Sequence, residues 1–175
     1  AKVTCPVDIR KYVPAITQDS IFAVGLSITL EILDDGTKPF WTRVQLLQPI
    51  ATEKQKRLNT SMLQALEYAH AAIPHMIRFL TYGKLNYNLM FSNMGKLDIE
   101  EHWNTFDIDT VFSPAVIGPF ANPNTVLTST FKGQMDFTFI SNDDFLPEED
   151  ALAIKEAFLQ ILKEVLPSTT PILTV

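Results

Sequence analysis

The clearest alternation along the chain lies between Thr125 and Asp143. In "TVLTSTFKGQMDFTFISND" the rows Val126-Thr128-Thr130 and Leu127-Ser129-Phe131 interleave, Lys132-Gly133 interrupts them, and Met135-Phe137-Phe139 returns. Period-two alternation on both sides of a two-residue break predicts a β-hairpin. Lys2 to Val7 predicts a short strand leading into a loop closed by Pro14. "SIFAVGLSITLEIL", 20–33, is a near-continuous apolar run of the kind found in strands covered on both faces, and "DDG" at 34–36 ends it. Tyr87 to Phe91 predicts another strand, broken at Ser92-Asn93-Met94-Gly95. The alternating "FDIDTVF", Phe106 to Phe112, predicts one more.

The period changes to helical between and after these segments. Trp41, Val44, Leu47 and Ile50 follow a start at Thr37–Phe40, where Pro39 suits a first turn, and Pro49 is expected to kink or interrupt that helix. From Thr52 to Leu80 the series Leu58, Met62, Leu66, Ala69, Ile73, Ile77, Leu80 keeps to one helical face, with a break expected before Pro74. Pro147-Glu148-Glu149-Asp150 opens a last helix with acids favourable to its dipole, and Leu152, Phe158, Leu162 and Val165 carry it to Pro167. The order is β, β, long helices, β, β, hairpin, helix. It predicts an α/β two-layer sandwich with a mixed sheet, because the hairpin rules out an all-parallel one.

Composition narrows the class. Apolar residues make up 46% of the 175 positions and charged residues 19%, enough for one domain with its own core, 1–175. The net charge is −6, with 14 Lys+Arg against 20 Asp+Glu, and no basic cluster interleaves with aromatics, so no nucleic-acid partner is expected. No apolar run is long enough for a membrane span. Cys5 is the single cysteine, which rules out an internal disulfide and fits a reducing, cytoplasmic compartment. The chain opens on Ala1 and immediately on a strand, which suggests a piece of a longer polypeptide; removal of an initiator methionine would give the same start.

Candidate chemistry is sparse. The six glycines form no phosphate loop. The acid pairs Asp34-Asp35, Glu100-Glu101 and Asp143-Asp144 are adjacent and read as solvated turns rather than catalytic dyads. His70 and His75, five residues apart, fall on different helical faces, so no metal site is expected. His102 and Asp107 read "HWNTFD", one residue too long for HxxxD, and no GxSxG nucleophile is present. The residues taken alone describe no self-sufficient active site.

Several segments nevertheless share a pattern. "CPVDIRKYVP" (5–14) resembles the "VDxRxRxxP"-type opening of the C-terminal half of CoA- or carrier-dependent acyltransferases. These are the BAHD enzymes, the alcohol and polyketide-associated acyltransferases, and the condensation domains of peptide synthetases. "IFAVGLSITLEIL" and "PFWTRVQLLQ" resemble their buried strand and following helix. "FSNMGKLDIEEHWNTFDIDTVFSP" resembles the segment in which a strand ends in a small polar pair, and "TVLTSTFKGQMDFTFISNDDFLPEEDALAIKEAF" resembles the closing hairpin and helix. The resemblance covers nearly the whole chain.

It implies a chloramphenicol-acetyltransferase-like half, the C-terminal lobe of a two-lobed enzyme with a channel between the lobes. The activity implied is transfer of an acyl group from a CoA or carrier-protein thioester to a small-molecule alcohol or amine. That thioester is a substrate, and no covalently bound cofactor is implied. The catalytic histidine would come from an HxxxD motif on an N-terminal lobe outside this chain, and the role does not pass to His102. The expected partner is that lobe or another copy of the chain. Arg10 matches an arginine that holds the HxxxD aspartate through a bidentate fork; pairing with Asp8, or solvent exposure, is the local alternative. Ser92 and Asn93 match the small polar pair facing the channel, where they would position the acyl carbonyl; turn formation is their alternative. The segment "FDIDTVFSP" stands where plant BAHD enzymes carry DFGWG and lacks its Trp and Gly, so bacterial or fungal relatives, or a condensation-like domain, fit better. A non-catalytic binding or scaffold domain of the same architecture remains the alternative function.

Overall fold

The computed structural model describes residues 1–8, 26–32, 36–58, 74–75, 88–115 and 124–167. Arg10, His70, Asp34-Asp35 and most of the helical stretch after Leu58 lie outside the described residues.

The chain is an α/β protein built on a five-stranded mixed open sheet. The strands are β1 (Lys2–Val7), β2 (Leu26–Glu31), β3 (Leu89–Lys96), β4 (Asn124–Phe131) and β5 (Gln134–Ile140), in spatial order β2-β1-β3-β4-β5. The two outer pairs, β1–β2 and β4–β5, are antiparallel, whereas β3 runs parallel to both β1 and β4. Two described helices accompany them, α1 (Phe40–Lys56) and α2 (Glu148–Val165).

The predicted hairpin forms in the register its alternation requires, with Thr128 opposite Phe137 and Ser129 opposite Asp136. Its two-residue turn has positive φ at both Lys132 (49°) and Gly133 (78°), the backbone twist that suits the flanking strands.

The pairings sort the sheet into two faces. Val3, Cys5 and Val7 share one face with Leu26, Ile28 and Leu30, and the parallel register continues it through Leu89, Phe91 and Asn93 to Thr128 and Phe137. Both described helices lie on this face. After α1, Leu58 joins Leu26 and Ile28 in a buried cluster with Ala51 packed beside it, and Phe158 of α2 meets Phe137 edge-on at 5.1 Å. The other face carries Thr4, Thr29, Ser92, Leu127, Ser129 and Thr138, a row dominated by hydroxyls. Thr4 and Thr29 pair across β1–β2 at 3.1 Å.

Three elements differ from the sequence expectation. Of the kink or interruption expected at Pro49, the interruption does not occur, and helix α1 runs on to Lys56. The carbonyl that loses its donor belongs to Gln45, an exposed residue; beyond it the Thr52 hydroxyl donates to Gln48 O at 3.0 Å. Nor is the apolar stripe of α1 its docking face, since Trp41, Val44 and Ile50 are exposed and contact is made through Ala51. Second, β3 does not end at Ser92 but continues to Lys96 through a bulge between Asn93 and Lys96. Third, Phe106–Phe112 joins no ladder among the described residues. Its single bridge pairs His102 with Asp107, because the chain folds back on itself rather than onto the sheet. Helix α2 follows the expectation, with Pro147 at its N-cap and Glu148, Glu149 and Asp150 in the first turn.

Candidate functional site

Ser92 and Asn93 sit on the central strand but do not face the same way. As consecutive residues of β3 they take opposite sides of the sheet, Ser92 beside Leu127 and Asn93 beside Thr128. Ser92 is partly buried on the hydroxyl-bearing face, and its own hydroxyl has no hydrogen-bond partner among the described residues.

Asn93 is occupied locally. Its Oδ1 accepts the Gly95 N–H at 2.8 Å, and Gly95 takes φ 72°, which closes the bulge and lets the strand re-pair when Leu97 N–H donates to Thr130 O at 2.8 Å. That leaves the Asn93 amide nitrogen as the free end of the side chain. Thr128, its neighbour across the strand pair, is 1% exposed, and its hydroxyl finds no partner.

Beyond β3 the chain crosses the hydroxyl-bearing face and is pinned at Ser113. The Ser113 amide donates to Asp136 Oδ2 at 2.6 Å, its hydroxyl lies 2.9 Å from Ser129 Oγ and 3.0 Å from Asp136 O, and Thr138 Oγ1 donates to Ser113 O at 3.1 Å. Nothing in the residue pattern marks Ser113 in advance. It sits beside Pro114 in a segment that reads as a loop, and only the register Ser129–Asp136 supplies its partners.

Between β3 and Ser113 the chain folds back on itself in a small turn. Trp103 N–H donates to Phe106 O at 2.9 Å, Ile108 N–H to Glu101 O at 2.8 Å, and the Trp103 and Phe106 rings stack at 6.0 Å. His102 Nδ1 meets Asp107 Oδ1 at 2.9 Å across this turn, so the near-HxxxD pair does come together. Both side chains are about three-quarters exposed, at 73% and 70%, and no nucleophile or enclosing wall accompanies them among the described residues. A base that works on an acceptor needs the acceptor held and water excluded, and this pair does neither.

Cys5 offers no nucleophile either. It faces the helix-covered side, where burial pushes its thiol pKa up and keeps it protonated. Among the described residues no three His, Cys, Asp or Glu side chains converge to hold a metal ion, and no helix is long and apolar enough to cross a membrane. No protein-family model, curated protein or solved structure matches this chain.

Proposed function

We propose that this chain is one lobe of an acyltransferase, transferring an acyl group from a CoA or carrier-protein thioester to an alcohol or amine. The observation that carries this reading is the place of Ser92, on the central strand and on the face that neither described helix covers. Both described helices pack on one face, while the central strand carries Ser92 on the other, among further hydroxyls and with no hydrogen-bond partner for its own among the described residues. A lobe of a two-lobed, chloramphenicol-acetyltransferase-like enzyme would need such a donor where its sheet meets a shared channel; Ser92 is only partly buried, whereas Thr4, Leu127 and Ser129 on the same face are buried.

The division of labour follows from what the chain carries. Ser92 would donate a hydrogen bond to the thioester carbonyl oxygen as negative charge develops on it. The Asn93 amide, from the other side of the strand, would hold the bulge through Gly95 rather than touch the acyl group. The histidine that removes the acceptor proton would be supplied by an HxxxD lobe, and Arg10 would orient its aspartate. His102, exposed on its turn, has no part in the reaction.

The test compares this chain alone with the same chain joined to or mixed with an HxxxD-bearing lobe, using acetyl-CoA and a panel of alcohols and amines. The chain alone is expected to give background thioester hydrolysis, and turnover should require the added lobe. Turnover by the chain alone that disappears in His102→Ala would overturn the reading.

A further inference from the structure

The segment 97–112 presents a surface the proposed reaction does not use. Trp103 and Phe106 stack with their planes 13° apart and remain 54% and 56% exposed, and Ile99 and Phe112 on the same segment are exposed as well. The rings are held rather than floppy. Trp103 Nε1 donates to Glu100 O at 3.1 Å, the His102–Asp107 pair closes the turn, and Lys132 Nζ on the β4–β5 turn donates to Ile108 O at 2.8 Å.

The same stretch carries five carboxylates, Asp98, Glu100, Glu101, Asp107 and Asp109, and neither lysine nor arginine. Lys132 reaches Glu101 at 3.7 Å and is already committed to the Ile108 carbonyl. Among the described residues no lysine or arginine meets the other four. A preformed aromatic pair amid five carboxylates, of which only Glu101 meets a lysine among the described residues, is complementary to a cation that also has apolar surface.

We propose that this turn docks a basic, partly apolar segment of a partner protein, with an arginine over the exposed face of Trp103 and its neighbouring cations against Asp98 and Glu100. Arginine suits the site better than lysine, because its planar guanidinium stacks on a ring while still bonding a carboxylate. An acidic partner is repelled by the same charges.

The experiment is calorimetric titration of the full chain with a short acetylated arginine–leucine peptide, and with its counterpart carrying glutamate in place of arginine, at low and high salt. The arginine peptide is expected to bind roughly tenfold or more tightly than the glutamate one, with affinity falling as salt screens the carboxylates. Trp103→Ala should lose most of that binding. Asp98→Asn with Glu100→Gln, which leaves the ring pair and its backbone bonds intact, should weaken binding and reduce its salt dependence while the circular dichroism of the chain is unchanged. Absence of binding, equal binding of the two peptides, or binding indifferent to both variants would overturn the proposal. So would self-association of the chain that Trp103→Ala abolishes, since the turn would then be an interface between copies.

Discussion

The hydroxyl of Ser113 lies 2.9 Å from that of Ser129, a residue only 1% exposed, and so joins the crossing segment to the buried face of the β4–β5 hairpin. Removing one partner of a buried hydrogen bond leaves the other unsatisfied, which costs about 1–3 kcal/mol. Ser113→Ala is therefore expected to destabilise the fold by that order in urea unfolding. Adding Ser129→Ala should cost less than the two single changes summed, because both ends of the bond are then gone. Full additivity would mean the two hydroxyls do not depend on each other.

Thr128 presents the opposite case, a buried hydroxyl with no partner to lose. Thr128→Val keeps the shape and removes an unpaired polar group from the interior. It should raise stability by about 1 kcal/mol. An unchanged or lower unfolding midpoint would show that the hydroxyl is satisfied in solution.

Gly95 holds φ 72° at the bulge, with open space where a Cβ would stand. The cost of a side chain there is conformational and not steric. Gly95→Ala should destabilise by about 1 kcal/mol and Gly95→Asn by less, since asparagine tolerates the left-handed region. Equal stability of all three forms would show that the positive φ does not persist.

Burial raises the pKa of Cys5, because the thiolate would be desolvated. The folded value thus lies above the unfolded one, near 8.5 for a free thiol. The contribution to stability is complete below that pH and is lost as pH rises through the folded value. Cys5→Ala should flatten the alkaline limb of stability against pH and leave its course near neutrality unaltered. Alkylation of native Cys5 should also be slower than after unfolding; equal rates would show the thiol to be open to solvent.

Ser92 separates function from stability. Its hydroxyl has no partner among the described residues, so Ser92→Ala should leave the unfolding midpoint within experimental error. In the enzyme completed by an HxxxD lobe, the same change should lower kcat by roughly a hundredfold, the scale of losing one donor to a developing oxyanion. Unchanged kcat would remove Ser92 from the reaction.

Local pattern was sufficient where an element is stabilised by its neighbours in sequence. Val126-Thr128-Thr130 against Leu127-Ser129-Phe131, broken at Lys132-Gly133, specified a hairpin and its two faces, because side-chain period and turn chemistry act over a few residues. The acids after Pro147 marked the start of α2 for the same reason. Phe106–Phe112 alternates as cleanly, yet forms no strand, because a strand exists only if another edge is free to pair with it, and the chain here pairs with itself at His102–Asp107. Likewise, "SNMG" reads as the end of a strand, whereas the parallel neighbour β4 draws β3 on to Lys96 and absorbs the turn as a bulge. The opposite facing of Ser92 and Asn93 follows from that continuation. The chemistry of the segment was legible in its residues, but its direction was decided by which strands lie beside it, since long-range pairing leaves no local signature.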